Sequence, residues 1–182
     1  MPEYMPQVHR VVKYSPHSKS EVVRGLSEPC GSVKVFDSTL RELVADMFKT
    51  MYAANGIGLA ANQIGIKARV AVVDISFGQD TAQKIVLVNP VVLDAVGKQV
   101  GREGCLSLPG LWDRVERAAY CTVDAQDEYG QWREIRGEGL LARALQHEVG
   151  HLNGQLFIDC ISKVRRGLIV GRINKLKKKG VW

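Results

Sequence analysis

The chain has no run of about 18 apolar residues, the length a helix needs to cross a bilayer, so no membrane span is expected. Met1 to Lys13 mixes charges with prolines and lacks the apolar core of a signal peptide, which makes a cytoplasmic protein the default expectation. Cysteine is scarce: Cys30, Cys105, Cys121 and Cys160 show no Cys-x-x-Cys spacing, so a disulfide scaffold is a poor fit and a reducing compartment a better one. Cys30, Cys121 and Cys160 read as structural, and His9 and His17, in a polar N-terminal segment, read as surface residues. There is no internal repeat, low-complexity tract or long linker. With 182 residues and 46% hydrophobic content, one domain (1–182) with a real core is expected.

Acidic residues are also missing from the end of the chain. After Asp159 there are eight basic residues, Lys163, Arg165, Arg166, Arg172, Lys175, Lys177, Lys178 and Lys179, and no acid. Subtracting that +8 from the chain's +6 leaves −2 on the first 159 residues, so the basicity is a C-terminal feature. Ile161, Val164, Leu168, Ile169, Ile173 and Leu176 recur there at near-helical spacing. Segment 161–182 therefore reads as a basic C-terminal helix docked by an apolar stripe, or as a solvated tail that aids solubility.

What is present is a motif. His147-Glu148-Val149-Gly150-His151 places two imidazoles four residues apart, on one face of a helix, with a carboxylate between them. That is the pattern of two metal ligands and a general base acting on water at the ion. A chance occurrence on an ordinary helix is the plain alternative. The flanks favour a helix from Gly139, with Leu140, Leu141, Ala144, Leu145 and Leu152 on the motif's side and Asn153-Gly154 as its stop. Gly150 costs such a helix about 1 kcal/mol relative to alanine, either because a neighbour needs the space or because the cost is tolerated.

A catalytic centre of this kind takes a third protein ligand. The later His of metzincins would fall at Phe157, and no Glu follows Glu148, so the ligand must lie upstream. Cys105, in Glu103-Gly104-Cys105-Leu106-Ser107, is the best candidate, since a thiolate binds zinc or ferrous iron well. A lone cysteine is otherwise a small buried hydrophobe. A third segment, Gly56-Ile57-Gly58-Leu59-Ala60-Ala61-Asn62-Gln63, brings small residues where backbone can approach a ligand and ends in an amide donor; it also suits a helix cap and turn.

Taken in order, these three segments resemble the signature motifs of the peptide deformylase family, and the likeness runs from the Tyr14-Ser15-Pro16 region to Leu156-Phe157-Ile158-Asp159. It departs from the commonest pattern at Gly150, where an Asp is usual, and at Asn62, a variable position. The resemblance implies a hydrolase that removes the N-formyl group from the initiator methionine of new polypeptides. It implies one divalent ion on Cys105, His147 and His151, Fe(II) first, with zinc, nickel or cobalt as substitutes. Glu148 is then the base, with the Gln63 side chain and the Leu106 N–H receiving the charge on the formyl oxygen. The peptide would pair with Ile57-Gly58 and the Gly104 region like an added strand, its methionine walled by Ile57, Leu140 and Ala144. Trp112 reads as a packing residue near the rim. Relatives also associate with the ribosome through the C-terminal helix, so contact of 163–179 with ribosomal RNA is implied.

Two other readings stand beside this one. A zinc-dependent peptidase on the same helix predicts cleavage of internal amides and a non-sulfur third ligand. A non-catalytic RNA- or ribosome-binding protein with a structural metal would need neither Glu148 nor Gln63. For the fold, α+β is expected: mainly antiparallel or mixed sheets around a central metal-bearing helix, with a C-terminal helix. A helix is predicted over 39–54 with a Thr39–Glu42 capping box, and strands over 69–75, 85–93, 120–125 and 131–136.

Overall fold

A computed structural model describes residues 4–182. After a short helix α1 (Glu21–Arg24), the first long helix, α2 (Ser38–Ala53), begins where the Asp37 carboxylate accepts the Leu40 N–H at 3.2 Å. The cap therefore falls upstream of the expected Thr39–Glu42 box. Asp37 is the better acceptor because it precedes the first helical turn, whose N–H groups need partners. Leu40, Val44, Met47, Phe48 and Met51 form the buried face, and Asn55, at φ 55°, ends the run.

Strands β1 (Gly58–Ala60), β2 (Val70–Val73), β3 (Ile85–Val96), β6 (Tyr120–Gln126) and β7 (Trp132–Glu138) form one sheet in the order β1-β2-β3-β6-β7. Strands β4 (Gln99–Gly104) and β5 (Trp112–Arg117) form a separate ribbon. All these pairings are antiparallel; the sole parallel contact among the described residues is an isolated bridge, Gly31 to Ala68. β2 is apolar and buried throughout, as expected of a strand covered on both faces. The expected strands are all present, β3 continuing to Val96. β1, β4 and β5 were not anticipated: the first is three residues long, and the other two carry adjacent charges, Arg102-Glu103, Asp113-Arg114 and Glu116-Arg117, and bury one residue each, so no apolar alternation marks them.

Helix α3 (Gly139–Leu152) packs across β7, β2, β6 and β1 and buries Ala142, Ala144, Leu145, Val149 and Leu152 against the sheet. It stops at Asn153, with Gly154 at φ 75°. Gly150 is not enforced by crowding, since an added Cβ would meet only Gln155 atoms at 3.9 and 4.0 Å.

Helix α4 (Lys163–Lys178) buries only Ile169 and Ile173, while Val164 and Leu168 stand in solvent. The expected apolar stripe is thus narrower than its sequence spacing suggests. Docking is completed by the chain end, where the Trp182 indole donates to the Tyr14 carbonyl at 2.7 Å. Arg165 pairs with Asp113, and Arg166 with Asp159 at 3.2 Å, leaving most of the helix's cations facing outward. No helix among the described residues is long and apolar enough to cross a membrane. His17 is exposed as expected, but His9 is half-buried, with Nε2 2.8 Å from the Asp46 carboxylate. Cys30 and Cys121 are buried free thiols; Cys160 is exposed rather than part of the core.

Candidate active site

The hairpin joining β4 to β5 places Cys105 directly after Gly104, the last residue of β4, which pairs with Trp112. α3 delivers the two histidines from the opposite side. Cys105 Sγ lies 3.2 Å from His151 Nε2, which lies 3.1 Å from His147 Nε2, and the three candidate ligand atoms fall within 4.8 Å of one another. Two neutral imidazoles would point lone pairs at each other across that gap. Such convergence of sulfur and nitrogen donors is relieved by a cation, so the residues present fit a divalent metal.

A buried carboxylate orients this cluster. Glu103 Oε1 accepts from His147 Nδ1 at 2.7 Å, which leaves Nε2 as the nitrogen facing Cys105 and His151. Glu103 also accepts from Arg117 at 2.6 and 3.2 Å and from Arg143 at 2.8 Å. Burial alone would push the Glu103 carboxyl up, but the hydrogen bonds from His147 and Arg117 outweigh it and hold the group well below the usual carboxylate range. On the other side, the Asn62 amide donates to the His151 carbonyl at 2.8 Å and fixes the end of the helix.

Glu148 is 3% exposed, and its Oε2 has no hydrogen-bond partner. Burial raises its pKa to about 7; the nearby His147 charge opposes the shift, Glu103 adds to it, and Arg117 opposes it. The carboxylate fits only because residue 58 is glycine. A Cβ there would lie 2.2 Å from Glu148 Oε1. Gln63 stands in a one-turn 3-10 helix, Ala61–Ile64, after β1. Its Oε1 accepts the Ala60 N–H at 2.9 Å, which directs Nε2 toward Ser107 Oγ at 3.3 Å and Cys105 Sγ at 3.4 Å. Leu106 follows Cys105, and its side chain closes on Gly56.

These groups line one cleft of about 660 Å³. The structure brings into it all but one of the residues singled out from the sequence: Gln63, Cys105, Leu106, His147 and Glu148, and, for the peptide, Ile57, Gly58, Gly104, Leu140 and Ala144. His151 lies fully buried behind them. Trp112 lines the cleft and is half-exposed, its ring stacked 3.9 Å from the Arg102 guanidinium, so it belongs to the rim rather than the core. Sequence reading missed the roles of Glu103, Arg117, Arg143 and Ser107. Arg143 carried a usable signal, being one helical turn before His147 on the helix's buried side.

A family model described as polypeptide deformylase matches residues 10–167. A peptide deformylase of Acidobacterium capsulatum is 50% identical over 157 residues, covering 86% of this chain and 92% of that protein. Peptide deformylase 1 of Bacillus anthracis is 53% identical over 138 residues, covering 76% and 86%. The crystal structure of a peptide deformylase from Legionella pneumophila superposes with a TM-score of 0.84 at 41% identity, covering 95% of this chain and 97% of that one.

Proposed function

The chain belongs to the polypeptide deformylase family and is a metal-dependent hydrolase that removes the N-formyl group from nascent polypeptides, and from that premise we propose which of its residues perform each part of the reaction. Cys105, His147 and His151 hold one divalent ion, which we assign as Fe(II), with zinc, nickel or cobalt as substitutes that the same sulfur and imidazole donors accept. When bound, such an ion would supply Lewis acidity, acidifying the attacking water and polarising the formyl oxygen.

Glu148 takes a proton from the attacking water as the new C–O bond forms at the formyl carbon. It then gives that proton to the amine as the C–N bond breaks and formate departs. Its position supports this double role, because the carboxylate is buried and one of its oxygens has no other partner to compete for the proton. Gln63 Nε2 and the Leu106 N–H donate to the oxygen as it gains charge. β1 is the first strand of its sheet, so one edge is open for the peptide backbone at Ile57 and Gly58, with Gly104 opposite. Ile57, Leu140 and Ala144 wall the methionine side chain.

The observation that carries this reading is Glu148, buried with an unpartnered oxygen beside three convergent donors. Measuring formate release from formyl-Met-Ala-Ser by the parent and Cys105→Ala, with metal analysis of both, tests it. Formate from the parent alone, with metal lost from the variant, supports the assignment; cleavage of internal amides or metal retained without residue 105 contradicts it. We further assign residues 1–182 to one catalytic unit acting in the cytoplasm. Segment 161–182 is its basic arm, whose outward cations suit ribosomal RNA and would bind it less tightly as salt rises.

A further inference from the structure

Phe77 has no part in the chemistry above, yet it lines the same cleft as Glu148 and Cys105. It is 57% exposed and belongs to none of the three apolar clusters. Its φ is 56°, a left-handed conformation that bulky L-residues rarely adopt and that persists only where the surroundings enforce it. The enforcing group is Asp74, which is fully buried. One of its oxygens accepts from the Ser76 N–H at 2.8 Å and the Ser76 hydroxyl at 2.6 Å. The other accepts from the Gly78 N–H at 3.0 Å and the Tyr52 hydroxyl at 2.5 Å. One carboxylate thus clamps the chain on both sides of Phe77. The turn is also tied to the peptide-binding segment, since the Asp74 N–H donates to the Ile57 carbonyl at 2.9 Å.

Neither packing nor conformation accounts for an aromatic ring here. An exposed ring contributes little to a core, and glycine or asparagine would take this φ with less strain. What the position gains from phenylalanine is an apolar face at the cleft mouth. We propose that Phe77 is a specificity-determining residue, its ring forming a platform for an apolar or aromatic side chain at a position following the formylmethionine. The inference rests on the deformylase reading of the cleft. In an extended peptide successive side chains alternate in direction, so when methionine enters the inner pocket the residues after it emerge at the mouth. A ring offers them contact area at low cost in lost side-chain freedom.

The test compares kcat/KM for formyl-Met-Ala-Ser, formyl-Met-Phe-Ser and formyl-Met-Ala-Phe in the parent and in Phe77→Asn and Phe77→Leu. Asparagine tolerates a left-handed backbone, so the Phe77→Asn variant should unfold at or above the parent's temperature. The parent should prefer at least one Phe-containing peptide by about fivefold, mainly through KM. Phe77→Asn should bring that preference within about twofold, and Phe77→Leu should keep part of it. Calorimetric binding of the products Met-Phe-Ser, Met-Ala-Phe and Met-Ala-Ser should show the same loss of discrimination. An equal preference in the parent and a folded Phe77→Asn, or no preference in the parent, overturns the proposal. Absence of formate from all three peptides with metal-loaded parent overturns the deformylase reading as well.

Discussion

Glu103 Oε1 lies 2.7 Å from His147 Nδ1, so a carboxylate outside the candidate ligand set fixes the direction of a candidate metal ligand. Arg117 and Arg143 hold that carboxylate in turn. The charge in the interior is tolerable because each end of it is paired and hydrogen-bonded.

Glu103→Gln should therefore weaken metal binding without removing a ligand. Loss of such an orienting partner typically lowers affinity about 10- to 100-fold, and two guanidinium groups, Arg143 buried and Arg117 partly buried, would also lose their anion. Chelator competition on the loaded protein should show the drop, together with a lower thermal midpoint. Parent-like metal retention would restrict Glu103 to a packing role.

Gly58→Ala should leave the metal in place and stop the chemistry. The new methyl would fall 2.2 Å from Glu148 Oε1, closer than any real contact, so the carboxylate must turn away. We expect kcat to fall about 100-fold or more, the usual contribution of a general base, and Glu148→Ala to behave alike. Metal content and formate release, measured on the same samples, separate this outcome from misfolding. An active Glu148→Ala holding its metal would contradict the role of base.

Gln63→Ala should slow turnover far more than it weakens substrate binding. Removing one donor to a developing oxyanion costs about 3 kcal/mol, or roughly 100-fold in kcat. Steady-state kinetics on formyl-Met-Ala-Ser decide it, and equal constants in variant and parent would remove Gln63 from the mechanism.

Stability should fall at low pH partly through Asp74. Burial pushes its carboxyl up, but hydrogen bonds from Ser76, Tyr52 and Gly78 together outweigh burial and leave the folded-state pKa below the ordinary value. A depressed folded pKa means that the contribution is complete above about pH 4, where the unfolded carboxyl ionises, and is lost as pH falls through the folded value. Denaturant unfolding of Asp74→Asn should show a lower plateau near neutrality and a shallower acid decline than the parent. Parallel curves would exclude this linkage.

The two histidines and the glutamate were legible because a helix converts a four-residue spacing into a shared face. Cys105 was legible from its segment's resemblance to a family motif, helped by the lack of any His or Glu after His151 to complete the other helix-based patterns. The supporting groups were not. Glu103, Arg117 and Arg143 come from three elements, and no local pattern records that β4, β5 and α3 meet at one carboxylate. Asp37 displaced the expected capping box because Thr39 and Glu42 also matched the cap spacing, and only backbone geometry distinguishes the two. β1 is too short for alternation to register, and Phe77 looks from its neighbours like any loop residue. Its strained backbone and place in the cleft appear only in three dimensions.

The central claim is that one sulfur and two imidazoles surround a single ion. X-ray absorption on the zinc-loaded protein measures this directly. The account predicts one sulfur at about 2.3 Å and two imidazole nitrogens at about 2.0–2.1 Å, with the sulfur absent in Cys105→Ala. A first shell without sulfur in the parent, or one unchanged by removing Cys105, would contradict it.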